Sequence, residues 1–275
     1  MSAEILSGIE QEFTEALKNG EFCVWYQPQV DMRTGVIRGA EALVRWQKKN
    51  GELIPPDQFV PDLEKEGVMP LLDEEVLRIV CGDICDAKQK RYSFCPVSVN
   101  LSRLYAGRKG ISGILREITE EYGIGKGELS FEITETAKGP DDGERMPQLA
   151  RYLQRKGFRI AMDDYGMGNS TLKLLQEIRF DILKLDRFFI SRIGDPKAEV
   201  ILSSTITMAE ALGLEVIAEG VENREQIRFL LKHGCCFAQG YYYSRPLTKE
   251  RYMMRRMERA LLCAEDEAAG REETV

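Results

Sequence analysis

The stretch RMPQLARYLQRKGFRIAMDD, residues 145–164, holds a helix, a stop and a strand in succession. Residues 145–156 read as a helix, and Gly157 suits the position after a helix end, where a positive φ is often required. Residues 159–164 then form a short, almost wholly apolar run that closes on Asp163 and Asp164. Such a run is expected of a strand buried on both faces, as in a parallel sheet covered by helices. The same order recurs on both sides. Helix 111–122 stops at Gly123 before strand 129–134, and helix 196–212, opened by Asp195 and Pro196, stops at Gly213 before strand 215–219. Helix 223–233 stops at Gly234 before strand 236–242. Pro at the first helical position and Gly after the last is the expected asymmetry of helix ends.

Strands at 23–30, 39–46, 95–101 and 182–186 bring the candidates to eight within the 275 residues. A helix over 71–90 carries Leu72, Val76, Ile79, Val80 and Ile84 at helical spacing, and another is expected over 248–263. Alternating strands and helices of this number predict an α/β fold, a (β/α)8 TIM-like barrel in a single domain. The glycine-rich turn of a dinucleotide-binding or P-loop sheet is missing. Residues 1–20, with Leu6, Ile9, Phe13 and Leu17 spaced helically, read as an entry or linker helix, 21–263 as the barrel, and 264–275 as an acidic, disordered tail.

The chain is 43% apolar and 30% charged, enough for a sizeable core. Its formal net charge is −7, with a pI of about 5.2. That balance excludes long nucleic acids as partners, because phosphate backbones call for a basic surface. No apolar run reaches the ~18–20 residues of a membrane span, and the N-terminus is acidic where a secretory leader is basic. The reading is a cytoplasmic protein or the cytoplasmic part of a larger signalling protein. The seven cysteines, Cys23, Cys81, Cys85, Cys95, Cys235, Cys236 and Cys263, form no Cys-x-x-Cys pair and read as reduced, buried thiols. The lone histidine, His233, sits at a helix end, where a cation is favoured. One histidine excludes histidine-rich metal centres and leaves carboxylates, amides, lysine or metal for chemistry.

Polar residues interrupt the strands in a consistent place. Glu41, Asn100, Glu132, Asp163, Asp164, Lys184, Asp186, Glu219 and Gln239 lie at or near the C-terminal ends of otherwise apolar strands. In a barrel these ends converge on the face that carries active sites. Three Glu and two Asp, gathered beside an Asn, cannot all be buried as bare anions. Hard oxygen ligands without histidine suit Mg2+ or Mn2+, and adjacent Asp163 and Asp164 can bridge or divide between two ions. Two ions roughly 3.5–4 Å apart are a standard arrangement for phosphodiester cleavage. Singly, each of these groups could equally be a cap or a salt-bridge partner.

These residues sit in segments that resemble the EAL domains, phosphodiesterases specific for cyclic di-GMP. The segments are WYQPQVD (25–31), EALVRW (41–46), IPPDQFVP (54–61), VNLS (99–102), FEITET (131–136), DDYGMGNST (163–171), LKLDR (183–187), AEGVEN (218–223) and QGYYYSRPL (239–247). They keep the family's order from about residue 21 to 252. The resemblance implies that Glu41, Asn100, Glu132 and Asp163 ligate one metal, and that Asp163 and Asp164 hold a second, with Glu219 as base or support. It makes Lys184 the residue that orients the catalytic water, Gln239 a contact of that water or of the metal shell, and Gln27, Leu43, Arg45 and Asp186 substrate contacts. Glu135, Gly166 and Gly168 support the loop after Asp164. The implied reaction is hydrolysis of cyclic di-GMP to linear pGpG with Mg2+ or Mn2+. The implied partners are a second copy of the chain and an upstream sensory or GGDEF domain in a longer parent. One departure bears on this. The family usually reads Asp-Phe-Gly-Thr-Gly-Tyr-Ser-Ser, where this chain has Asp164-Tyr165-Gly166-Met167-Gly168-Asn169-Ser170-Thr171. An EAL-like receptor that binds the dinucleotide without cutting it, and an interaction module that does neither, are the alternatives.

Overall fold

A computed structural model describes residues 8–92, 94, 96–106, 108, 110–134, 145–166 and 171–258. Its strands are β1 (Phe22–Asp31), β2 (Ile37–Gln47), β3 (Leu53–Ile54), β4 (Val97–Asn100), β5 (Leu129–Thr134), β6 (Arg159–Tyr165), β7 (Ile182–Leu185), β8 (Glu215–Ala218), β9 (Phe237–Ala238) and β10 (Leu247–Thr248). The helices are α1 (Gly8–Lys18), α2 (Val60–Glu66), α3 (Met69–Gln89), α4 (Arg103–Ala106), α5 (Ile111–Glu121), α6 (Arg145–Lys156), α7 (Thr171–Glu177), α8 (Arg187–Ile190), α9 (Pro196–Ala211) and α10 (Arg224–Lys232). Residues 249–258 are also helical.

Hydrogen bonding runs β1-β9-β8-β7-β6-β5-β4-β2, and a further β1–β2 pairing closes the ring into an eight-stranded barrel. These eight are the strands expected from the sequence. One detail differs from a uniformly parallel barrel. β1 runs antiparallel to both neighbours, β2 and β9, while the remaining ring contacts are parallel. The cause is the short link 32–36, which reverses the chain in a hairpin where a parallel pair needs a crossover of a dozen residues or more. The short β3 pairs with the C-terminal end of β2, and β10 pairs with Trp25 and Tyr26 within β1.

Helices cover the barrel as the apolar patterning requires. Along α3, Leu72, Val76, Leu77, Val80, Cys81 and Ile84 are buried at spacings of three and four. α1 docks through Phe13 and Ala16, and the Phe13 ring meets Phe22 at 5.6 Å. Asp195 caps α9 by accepting from Lys197 N, and Asn223 and Gln226 form a capping box on α10. His233 lies at the C-terminal end of α10, its Nδ1 2.8 Å from Phe229 O. Cys81 and Cys235 are buried free thiols, and Cys23, Cys85 and Cys236 are half-buried and free. Cys95, Cys263, the leading half of the entry helix and the tail 264–275 lie outside the described residues. No helix among the described residues is long and apolar enough to cross a membrane.

Candidate metal centre

Strand alternation explains how the polar residues meet. In a parallel barrel every second residue points inward. On β2 the register pairs Glu41 with Gln27, Leu43 with Trp25, and Arg45 with Cys23, so one face of the β1–β2 ribbon carries all six. Asn100 pairs with Glu132, and Thr134 with Asp163. Glu219 and Gln239 follow directly on β8 and β9. Glu219 N donates to Leu185 O at 2.9 Å and Gln239 N to Ala218 O at 2.8 Å, which continues both strands by one residue.

Asp163 and Asp164 are neighbours, and an ideal strand would send them to opposite faces. The register between β6 and β7 shifts between Met162 and Tyr165, and Asp164 takes a left-handed φ of 54°. This conformation costs about 1 kcal/mol or more for a residue other than glycine, although Asp tolerates it better than most. It turns both carboxylates to one side. Oxygens of Asp163, Asp164 and Glu219 lie within 4.8 Å of one another, as do those of Glu41, Glu132 and Asp163, so the two groups share Asp163.

Lys184 stands in the middle, 1% exposed, with its Nζ 2.6 Å from Glu132 Oε2, 2.8 Å from Glu219 Oε1, 2.9 Å from Asp163 Oδ1 and 3.2 Å from Glu41 Oε2. Gln239 Nε2 donates to Glu41 Oε2 at 2.5 Å and to Glu219 Oε1 at 2.9 Å, and Asn100 Nδ2 donates to Glu41 Oε1 at 3.3 Å. A single ammonium cannot neutralise four carboxylates. Burial and mutual repulsion therefore push Glu132 up to about 8, despite Lys184, and Asp164 to about 6. Burial raises Asp163 too, and Glu219 goes well above the carboxylate range. Burial also penalises the Glu41 anion, but Lys184, Gln239 and Asn100 outweigh it and hold Glu41 below its ordinary value. For Lys184, burial opposes the charge, yet the surrounding carboxylates raise it well above the usual lysine range.

The donor set fits divalent cations. It is all hard oxygen, it carries surplus negative charge, and Glu132 Oε1 is buried with no hydrogen-bond partner among the described residues. Two ions at the two carboxylate groups would satisfy both the charge and this oxygen.

Around the cluster, the Arg45 guanidinium lies 5.6 Å from the Trp25 ring centroid and donates to Val44 O. Leu43, Asn100 and Thr134 open onto a cavity of about 220 Å3 that runs outward beneath α2 and α3. Asp186 caps α8 by accepting from Phe188 N at 2.7 Å, which ties down the chain just after Lys184. Gly166, at φ 89°, passes so close to Phe189 that a Cβ there would lie 2.5 Å from its Cζ. Glu135 and Gly168 lie outside the described residues. The sequence reading passed over Trp25, Thr134, Gly240 and Gln29. Trp25 and Gln29 share the inward face of Gln27 by the period of two, a signal present in WYQPQVD. Gly240 lies against the backbone of Val221 with no room for a side chain.

A (β/α)8 barrel with a carboxylate–lysine cluster at the C-terminal ends of its strands defines a class of barrel proteins with an acidic mouth. Within that class the chain belongs to the EAL domain family, whose model matches residues 10–246. It is 35% identical over 240 residues to the cyclic di-GMP phosphodiesterase NbdA of Pseudomonas aeruginosa, a match covering 87% of this chain and 30% of that protein. It is 33% identical to the probable cyclic di-GMP phosphodiesterase PdeB of Escherichia coli, over 87% of this chain and 45% of that one. The chain thus spans less than half the length of these curated relatives. Its fold superposes on the solved PaMucR phosphodiesterase in complex with c-di-GMP, with a TM-score of 0.81, 30% identity, and coverage of 90% of this chain and 100% of the other.

Proposed function

We propose that this barrel hydrolyses one phosphodiester bond of cyclic di-GMP, giving linear pGpG, with two divalent cations, Mg2+ or Mn2+, at the mouth. The observation that carries the reading is the shared Asp163 between two carboxylate groups set around one buried lysine. Glu41, Asn100, Glu132 and Asp163 would hold one cation, and Asp163, Asp164 and Glu219 the other. When bound, such cations polarise the phosphoryl group and acidify the attacking water. Glu219 receives the proton of that water, and Lys184 and the Gln239 amide hold the water and the developing charge in place. Arg45 offers a planar fork to a phosphate, at a rim where Trp25 and Leu43 flank the space for a base. The relatives named above support this substrate class, and a place in a longer cytoplasmic signalling protein with sensory or GGDEF domains belongs to the same proposal. Assembly as a homodimer is part of the same proposal.

The test pairs binding with turnover. Purified chain is incubated with cyclic di-GMP and Mn2+, pGpG is followed by chromatography, and binding is followed by calorimetry. Glu219→Gln is expected to bind the dinucleotide and to lose about 100-fold or more in rate, the typical worth of a general base. Tight binding by the wild type with no product would instead establish the receptor reading, motivated by Met167 and Asn169 in the loop.

A further inference from the structure

The opposite end of the barrel is concave, although Ala161, Ile182 and Ile217 pack into a buried cluster and two of them, Ile182 and Ile217, face the concavity. TIM-like barrels are normally filled there by packed side chains. Here the N-terminal strand ends surround a cavity of about 470 Å3, within the usual range for small-molecule sites. Gly39 and Ser130 contribute almost no volume to its wall, while Phe94 and Phe237 supply apolar surface. Its charged lining is Arg38, Arg159 and Arg256 against Glu215 alone, a concave basic surface on a chain of net charge −7. Arg159 already pairs with Glu215 at 3.0 Å and donates to Asp181 O at 3.2 Å, so its guanidinium is held in place.

Gln29 lines this cavity on the side that faces the barrel interior. Its Nε2 donates to Gln239 Oε1 at 3.3 Å, and Gln239 Nε2 in turn donates to Glu41 and Glu219. Gln29 thereby fixes which way the Gln239 amide points. Its donor satisfies the Gln239 oxygen and leaves the nitrogen to the carboxylates. Gly39 makes this possible, since a Cβ there would lie 2.8 Å from Gln29 Oε1.

We propose that the lower mouth of the barrel binds a small organic phosphate, with the phosphate on Arg38 and Arg159 and the apolar body against Phe94 and Phe237. Its occupancy is transmitted through Gln29 and Gln239 to the catalytic carboxylates. An acceptor on the ligand competes with Gln239 for the Gln29 amide and so loosens the donor that steadies Glu41 and Glu219. Linkage makes the effect reciprocal between ligand and cation.

The binding arm uses 5′-AMP, inorganic phosphate and citrate as calorimetric probes on the whole chain in EDTA, where the carboxylate cluster has no cation with which to hold a phosphate. AMP is expected to bind one per chain, inorganic phosphate at least tenfold more weakly, and citrate more weakly than AMP. Arg38→Glu, an exposed position, should keep the wild-type Tm and lose at least tenfold in AMP affinity, and Arg45→Ala, at the upper mouth and outside the Gln29–Gln239 relay, should leave that affinity at the wild-type value. No binding of any probe, equal affinity in Arg38→Glu, or loss of binding in Arg45→Ala overturns the site. Citrate binding more tightly than AMP overturns the phosphate assignment. The coupling arm rests on the cation site proposed above. AMP should weaken Mn2+ binding at least twofold in the wild type, beyond the effect seen in Arg38→Glu and Gln29→Leu, which correct for chelation in solution. An equal effect in all three proteins overturns the coupling. Absence of Mn2+ binding altogether overturns the cation site and leaves the result of the binding arm standing.

Discussion

Lys184 and the carboxylates around it set the charge at the mouth of the barrel. With Glu132 raised to about 8 and Asp164 to about 6, the proposed cations would compete with protons for the same oxygens. Ligation needs the deprotonated form, so apparent Mn2+ affinity should climb as pH rises from about 6 to beyond 8, with protons released on binding. Calorimetry in buffers of different ionisation enthalpy measures both, and an affinity independent of pH would remove the carboxylates from the site. The types of residue were legible at this scale, because a carboxylate ending an apolar strand has no packing reason to be there. The geometry of Asp164 was not. Only a left-handed φ and a register shift bring it beside Asp163, and neither leaves a mark in the string Asp-Asp.

Among the elements, close approaches set the tolerances. Gly166→Ala must move Phe189 on α8 or the chain after Asp164, and its φ of 89° disfavours any side chain. The expected cost is about 1–3 kcal/mol of stability. The expected loss in rate is about 100-fold if the displacement at Asp164 approaches ~1 Å. Urea unfolding together with kcat measures the pair, and a variant matching the wild type in both would contradict the described packing. The capping box of α10 is a milder feature. Asn223→Ala should cost about 1 kcal/mol, read as a lower Tm, with kcat little changed. The strand and helix candidates were legible from apolar period and glycine stops. The antiparallel direction of β1 was not, since the alternation in residues 23–30 suits either direction and only the short link 32–36 decides it.

Across the whole molecule, buried charge makes stability depend on pH. Asp73, 6% exposed on α3, accepts from Ser102 N at 3.1 Å, and burial raises its carboxyl from 3.8 to about 7. Between those values the folded chain keeps the proton that the unfolded chain has lost. Its contribution is therefore full below about pH 4 and is lost as pH rises towards 7, by roughly 4 kcal/mol at most. The stability difference between wild type and Asp73→Asn, followed by urea unfolding, should fall over that window; a flat difference would contradict the buried acid. The barrel itself was legible because its strands repeat a single pattern. The open lower mouth was not, since a cavity depends on which small residues end up facing each other.

Turnover of cyclic di-GMP in chelator and after addition of Mn2+ tests the central claim most directly. The account predicts no pGpG in EDTA, product on adding Mn2+, and none from Asp163→Asn, which removes the ligand common to both carboxylate groups. Equal product with and without chelator, or undiminished product from Asp163→Asn, would contradict it.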